Sequence, residues 1–153
     1  MSAREVVPGR LPARAGVAMA QFNEAITARL TDGAVEALEE AGVKDILVAR
    51  VAGALELGLV ASAMLESGCE IVVAVGAVIK GETDHYEYVA AEASRALTEV
   101  ALRSGRPVGN AVLTVREYDH AVDRSLPGPS NKGREAAEAA VVAFRVLAGL
   151  GVV

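Results

Sequence analysis

The sequence feature that most constrains the fold is a continuous apolar run from Ile71 to Ile79, bounded by Glu70 and Lys80. Such a run is typical of a β-strand buried on both faces, and it is too short for a membrane-spanning helix of about 20 residues. Mainly apolar segments at 16–20, 46–51 and 107–115 also predict strands. Because segments with helical spacing separate the runs, we predict an α/β fold with a four-stranded parallel sheet and helices on both faces.

The helices are placed by apolar spacing and by residues that start or stop helices. The first is expected between Asn23, as a side-chain N-cap, and Gly42, as a stop. Others are expected at 57–68, 85–103, 116–124 and from Asn131 or Gly133 onward. We expect no second domain.

The first residues differ in character from the rest of the chain. Pro8 and Pro12 prevent a helix there, and Arg4, Arg10 and Arg14 are expected to keep the segment solvated. We therefore expect an N-terminal arm over 1–16, which is either loose or paired with a neighbour, and a single α/β domain over 17–153.

Composition excludes several classes of protein. The 15 Lys and Arg against 20 Asp and Glu give a net charge of −5, which argues against nucleic acid as a partner. The single cysteine excludes a disulfide framework and a cysteine-based zinc cluster, and two histidines leave little for a metal site. With no apolar run long enough for a membrane span and no secretory signal pattern, we expect a cytoplasmic protein.

Ligands of parallel sheets bind beyond the carboxyl ends of the strands, so the topology nominates four segments for a site. They are 22–23, 53–56, 81–85 and 110–114. Gly81 allows close backbone approach, the helix start after it suits a phosphate, and Thr83 adds a hydroxyl. His85 can exchange protons near neutral pH. The alternative is that Thr83 or Asp84 only caps a helix and His85 only faces solvent.

The remaining candidates each have a structural alternative. Phe22 can stack on a flat heterocycle or fill the core, and Glu56 can bind ligand hydroxyls or complement a helix dipole. Arg124 and Lys132 can meet an anion or be ordinary surface charge. Three other residues are expected to have no direct role in chemistry: His120 on the surface, Cys69 as a small apolar filler and Lys80 at a strand end.

Taken in order, these segments resemble the lumazine synthase family. The resemblance covers about Val17 to Leu150. Its motifs are Gln21-Phe22-Asn23-Glu24, Val51-Ala52-Gly53-Ala54-Leu55-Glu56, Gly76-Ala77-Val78-Ile79-Lys80-Gly81-Glu82-Thr83-Asp84-His85-Tyr86, Asn110-Ala111-Val112-Leu113-Thr114 and Asn131-Lys132-Gly133. The resemblance implies a three-layer flavodoxin-like fold.

The resemblance also implies a transferase of riboflavin biosynthesis. It would condense 5-amino-6-ribitylaminouracil with 3,4-dihydroxy-2-butanone 4-phosphate to 6,7-dimethyl-8-ribityllumazine, phosphate and water, without metal or organic cofactor. The family's roles fall on these positions: stacking on Phe22 with Asn23 beside it, backbone contacts to the pyrimidine on Ala54, Leu55, Val78 and Ile79, ribityl binding on Glu56, phosphate binding on Gly81, Glu82 and Thr83, and proton transfer on His85.

Three further positions are implied to reach the site from a neighbouring subunit. Arg124 would meet the phosphate, Lys132 would lie near the pyrimidine, and Asn110 would lie beside them. The family assembles as homopentamers, sometimes paired as decamers or built into icosahedral capsids of sixty. The short loop at 125–130 weakly favours the capsid.

The sequence departs from the family pattern at a few positions. Ala52 and Gly58 replace prolines and are expected to loosen a loop. Leu55 and Asn110 stand where phenylalanine is common, and Lys80 replaces arginine. These departures leave open an alternative from another class, which is a weakly active or inactive shell or flavin-binding scaffold.

Overall fold

The computed structural model describes residues 2–153, in which strands and helices alternate as predicted. Within this range the strands are β1 (Arg14–Ala20), β2 (Asp45–Val51), β3 (Ile71–Ile79) and β4 (Val108–Val115). The helices are α1 (Glu24–Ala41), α2 (Leu57–Glu66), α3 (His85–Ser104), α4 (Tyr118–Ser125) and α5 (Lys132–Gly149). A short 3-10 turn at Ala54–Glu56 precedes α2. None of the helices in 2–153 is both long and apolar enough to cross a membrane.

The sheet is parallel throughout, with the strand order β2-β1-β3-β4. Ala18 of β1 stands between Ala49 of β2 and Ala74 of β3. The chain thus winds to one side of β1 and then crosses to the other side, so its direction reverses between β1 and β3. Ligands bind at such a reversal, beyond the carboxyl ends of the strands. The predicted α/β, flavodoxin-like architecture is confirmed.

Two apolar clusters cover the two faces of the sheet. Phe144 of α5 is fully buried on one face, in a cluster with residues of α1, and Leu57 of α2 and Leu97 of α3 are buried on the other. Strand β3 lies between them: Val73 belongs to the first cluster and Val72 to the second. Since every β3 side chain meets a helix layer, the whole strand must be apolar, as its sequence is.

Gly58 lies in a helix rather than in the loop where we expected it. It is buried in α2, and a Cβ added there would stand 2.8 Å from the Cβ of Ala96 in α3. This is closer than side-chain carbons normally approach, so the missing side chain lets α2 and α3 pack tightly. The expectation that Gly58 loosens a loop is wrong.

Strand β1 begins at Arg14, earlier than the predicted start at Gly16. Arg14 pairs in register with Asp45 of β2, and its Nε donates a hydrogen bond to Asp45 Oδ2 at 2.6 Å. A charged residue can therefore join the end of an otherwise apolar strand, because its partner lies directly opposite. Both side chains remain partly exposed.

The chain before β1 is held on the body by a carboxylate. Arg10 donates from Nη1 and Nη2 to the two oxygens of Glu70 at 2.8 and 2.7 Å, and the backbone N–H of Ala13 donates to Oε1 at 2.8 Å. The Arg10 hydrogen bonds, helped by that from Ala13, lower the pKa of Glu70 to about 2. Arg10 remains exposed, as expected, and its guanidinium also ties the arm to Glu70.

Two contacts with α5 hold the same segment. The guanidinium of Arg10 lies 5.0 Å from the ring centre of Phe144, a cation–π arrangement. Gly9 donates its N–H to the carbonyl of Arg145 at 2.8 Å and accepts from Arg145 Nε at 2.9 Å. The arm from Gly9 onward is therefore docked on its own chain.

Candidate active site

A cavity of about 300 Å³ lies where β1 and β3 end, at the reversal of winding. Its walls come from the segments after β1 and β2, the end of β3 and the start of α3. The lining residues are Ala20, Phe22, Asn23, Gly53, Ala54, Leu55, Glu56, Ala77, Val78, Ile79, Gly81, Thr83, His85, Tyr86 and Val89. The structure thus brings together three of the four segments nominated from the sequence.

Phe22 forms an exposed aromatic wall of this cavity. Its side chain is 68% exposed, so it is not a core residue. The ring lies against Gly53, where a Cβ would stand 2.7 Å from the ring Cδ2. The backbone N–H of Phe22 donates to the carbonyl of Ala52 at 3.0 Å, which fixes the turn that carries the ring. A flat aromatic face open to a cavity is suited to stacking on a heterocycle.

The sequence predicted that the Asn23 side chain caps α1, but the structure shows no such hydrogen bond. It adopts a left-handed conformation with φ 62°, the only positive φ outside glycine in residues 2–153. Its Nδ2 donates to the carbonyl of Ala77 at 2.9 Å. Asn23 therefore ties the turn after β1 to the end of β3, because a short polar side chain tolerates this conformation and reaches a nearby backbone.

Glu56 offers one uncommitted oxygen at the mouth of the cavity. Its Oε2 accepts the backbone N–H of Gly53 at 3.0 Å, which closes the turn before α2. Its Oε1 accepts no hydrogen bond from residues 2–153 in this structure and can accept hydroxyl groups of a ligand. One oxygen of Glu56 is thus used within the chain, and the other is free for a ligand.

The turn from Gly81 to His85 is exposed and leads into the N-terminus of the 20-residue helix α3. Thr83 Oγ1 accepts the backbone N–H of His85 at 3.3 Å. Free N–H groups and the positive end of the helix dipole make this turn suited to an anion. Gly81, Thr83 and His85 line the cavity, whereas Glu82 lies in the same turn outside the lining.

Arg124 and Lys132 line a different cavity, of about 420 Å³, at the free edge strand β4. Arg124 Nη1 donates to the carbonyl of His120 at 3.1 Å, and Lys132 Nζ lies 2.8 Å from Glu135 Oε2. Asn110 lines the same cavity, and its Oδ1 accepts the backbone N–H of Val112 at 2.9 Å. Within one chain the structure does not join these three residues to the cavity beside Phe22.

The three residues expected to have no direct role are not among those that line the Phe22 cavity, although Lys80 stands between two lining residues, Ile79 and Gly81. His120 and Lys80 are exposed, and Cys69 is buried, with its thiol pKa raised by burial. No three His, Cys, Asp or Glu side chains in the described range cluster as metal ligands do.

The sequence analysis assigned no individual role to Tyr86, Val89 or Gly53, which line the cavity. Tyr86 and Val89 reach the cavity from the first turns of α3, and the four-residue spacing of Val89 from His85 could have indicated a shared helix face. Gly53 supports the Phe22 ring, a role with no local signal because the ring is distant in sequence.

The chain was compared by sequence with known proteins. Residues 12–148 match the family model described as 6,7-dimethyl-8-ribityllumazine synthase. A protein of that name from Syntrophus aciditrophicus is 43% identical over 142 residues, covering 89% of this chain and 92% of the relative. One from Levilactobacillus brevis is 40% identical and covers 87% of this chain and 87% of the relative. One from Bdellovibrio bacteriovorus is also 40% identical and covers 82% of this chain and 70% of the relative. The chain therefore belongs to the 6,7-dimethyl-8-ribityllumazine synthase family.

Proposed function

We propose that this enzyme is a transferase that condenses 5-amino-6-ribitylaminouracil with 3,4-dihydroxy-2-butanone 4-phosphate. The products are 6,7-dimethyl-8-ribityllumazine, phosphate and water, in the penultimate step of riboflavin biosynthesis. Family membership supports the reaction. The observation that carries the assignment is that Phe22, Glu56 and His85 line one cavity beside the N-terminus of α3.

The pyrimidine occupies the part of the cavity next to Phe22. Its ring stacks on the exposed phenyl face, and its polar edges meet the backbone at 54–55 and 78–79, which lines the same cavity. The free Oε1 of Glu56 accepts hydroxyl groups of the ribityl chain. Gly53 is required under this arrangement because any side chain there would displace the phenyl ring.

The phosphate substrate occupies the part of the cavity next to α3. Its phosphate lies at Gly81, Glu82 and Thr83, where backbone N–H groups and the helix dipole stabilise negative charge. That charge rises when phosphate leaves, so the turn acts most strongly as the leaving group departs.

His85 is the proton-transfer group. The amino nitrogen of the aminouracil attacks the ketone to give an imine, with loss of water. Phosphate is then eliminated, and the resulting enol tautomerises to a ketone. The ribitylamino nitrogen attacks that carbonyl and closes the ring, with loss of a second water. Each step moves protons without a redox change, so an imidazole, which can donate and accept a proton, serves them all, provided that both substrates are held in position.

A second copy of the chain completes the site. Arg124, Lys132 and Asn110 lie at the free edge β4, and we propose that a neighbouring subunit presents them to the Phe22 cavity. The relevant assembly is a homopentamer, alone, paired, or within a capsid of sixty, built from domains that span residues 17–153. Exposed apolar side chains such as Leu59, Leu102 and Val142, at 77%, 80% and 63% exposure, supply apolar surface for such interfaces.

The test mixes the two substrates with purified protein and follows lumazine absorbance and fluorescence, while a sizing column with light scattering reports the assembly. We expect product and an assembly of at least five copies. Absence of product together with tight flavin binding would refute the assignment and support the scaffold alternative, which family membership does not favour. Product from a monomer would refute the shared site but not the reaction.

A further inference from the structure

Asn131 is a buried amide that joins three elements. Its side chain is 1% exposed. Nδ2 donates to the carbonyl of Ser125 at 2.9 Å and to that of Arg29 in α1 at 3.2 Å, and Oδ1 accepts the backbone N–H of Arg134 at 3.0 Å. Both N–H groups of the amide therefore donate hydrogen bonds. An N-cap uses only the side-chain oxygen, so these two bonds are additional to capping.

The backbone around Asn131 is shaped to admit this amide. Gly33 of α1 faces it, and a Cβ added at Gly33 would collide with Asn131 Oδ1. A Cβ at Gly133 would collide with the carbonyl of Leu30 in α1. Both α1 and α5 thus have glycine where they approach each other beside the Asn131 side chain.

The connected atoms stand next to the two cationic residues at the β4 edge. Ser125 directly follows Arg124, and Asn131 directly precedes Lys132. The loop between them, 126–130, is mostly exposed. Arg124 and Lys132 bond only within their own helices, to His120 and Glu135. The relative position of the two cations is consequently set by the backbones of α4 and α5, which the Asn131 amide connects.

We propose that Asn131 is a positioning residue, which holds Arg124 and Lys132 at the spacing that the phosphate and the pyrimidine require. This inference rests on the proposed function, because that function assigns the two cations to the substrates. Asn131 touches neither substrate and acts through Arg124 and Lys132.

The decisive variant is Asn131→Ser, which separates the cap from the connection. Serine is a good N-cap and keeps the acceptor for Arg134, but it is too short to reach the two carbonyls. The helices stay together, because Arg134 pairs with both oxygens of Glu40 in α1 at 2.7 and 3.1 Å. Gly33→Ala disturbs the same amide from α1, and Ser130→Ala is the matched control at an exposed neighbour.

Two readouts follow each variant: steady-state kinetics with both substrates and titration with inorganic phosphate. We expect N131S and G33A to raise the phosphate dissociation constant and the KM for the butanone phosphate about tenfold, since misplacement by about 1 Å can cost on the order of 10²-fold. S130A should match the wild type. In an Arg124→Ala background, N131S should add almost nothing to either constant, because the effect passes through Arg124.

The two proposals fail in different ways. If the wild type makes no lumazine yet binds phosphate, and N131S weakens that binding, the reaction is wrong and the role of Asn131 stands. Unchanged phosphate affinity and KM in N131S, with only a lower unfolding midpoint, would show a purely structural cap and overturn the inference. Full additivity with R124A, or no phosphate binding by the wild type, would also overturn it.

Discussion

Replacing Glu70 by glutamine should release the N-terminal arm and remove a pH-dependent part of the stability. The carboxylate accepts three N–H groups, two from Arg10 and one from Ala13. Its pKa falls from the ordinary 4.5 to about 2. At about 1.4 kcal/mol per pKa unit, this bounds the contribution at about 3 kcal/mol. Since the Arg10 side chain is half exposed and solvent screens it, we expect about 1–2 kcal/mol.

The sign of the pH dependence follows from the lowered pKa. Stabilisation is fully present above about pH 5, where Glu70 is ionised in both the folded and unfolded states, and it is lost as the pH falls towards about 2. Urea unfolding of wild type and E70Q should therefore differ by about 1–2 kcal/mol at pH 7 and converge at acid pH. Glu66→Gln, at an exposed carboxylate without an ion pair in the described range, is the control.

Release of the arm gives a second measurement. Trypsin should cleave after Arg10 faster in E70Q than in wild type, because the guanidinium leaves Glu70 and the Phe144 ring. Equal stability at pH 7, or a difference that does not shrink between pH 5 and pH 2, would refute the reasoning.

The other predictions concern the site and the core. His85→Ala should lower kcat by about 10²–10⁴-fold with the assembly intact, and normal turnover would remove the proton-transfer role. Arg124→Ala should weaken the phosphate substrate by about 1.5–3 kcal/mol and the pyrimidine much less, which separate KM measurements test; equal losses would place the arginine elsewhere. Asn23→Ala should be less stable than Asn23→Gly by about 1–2 kcal/mol in urea, since only alanine strains the left-handed conformation. Phe144→Ala should cost about 3–5 kcal/mol of unfolding free energy by the same assay, and a cost below about 1 would contradict its place in the core.

Local sequence patterns correctly predicted the elements whose conformation depends on few distant contacts. Strand β3 is apolar at every position because both its faces are covered, so its bounds could be taken directly from Ile71 and Ile79. The stop of α1 at Gly42 was equally local, since its φ of 99° suits glycine. Topology then placed Phe22, Glu56 and His85 at one edge of the sheet.

The errors arose where a distant partner decides the conformation. Asparagine is a residue type that often caps helices, but the side-chain amide of Asn23 donates to the carbonyl of Ala77 instead. The sequence did not predict that the exposed Arg10 pairs with Glu70, which lies 60 residues along the chain. Gly58 was expected to loosen a loop, but it lies in α2 where Ala96 requires close packing. Such contacts depend on the folded arrangement, which local composition does not contain.

The two separate cavities on one chain have a consequence for mixed populations of subunits. If a neighbour supplies Arg124 as proposed, a subunit lacking His85 impairs the pocket on its own chain. A subunit lacking Arg124 instead impairs the pocket of its neighbour. Co-assembled, they would create some pockets with two defects and some with none. Two impaired proteins would then regain part of the turnover when denatured and refolded together, in proportion to how often unlike copies become neighbours.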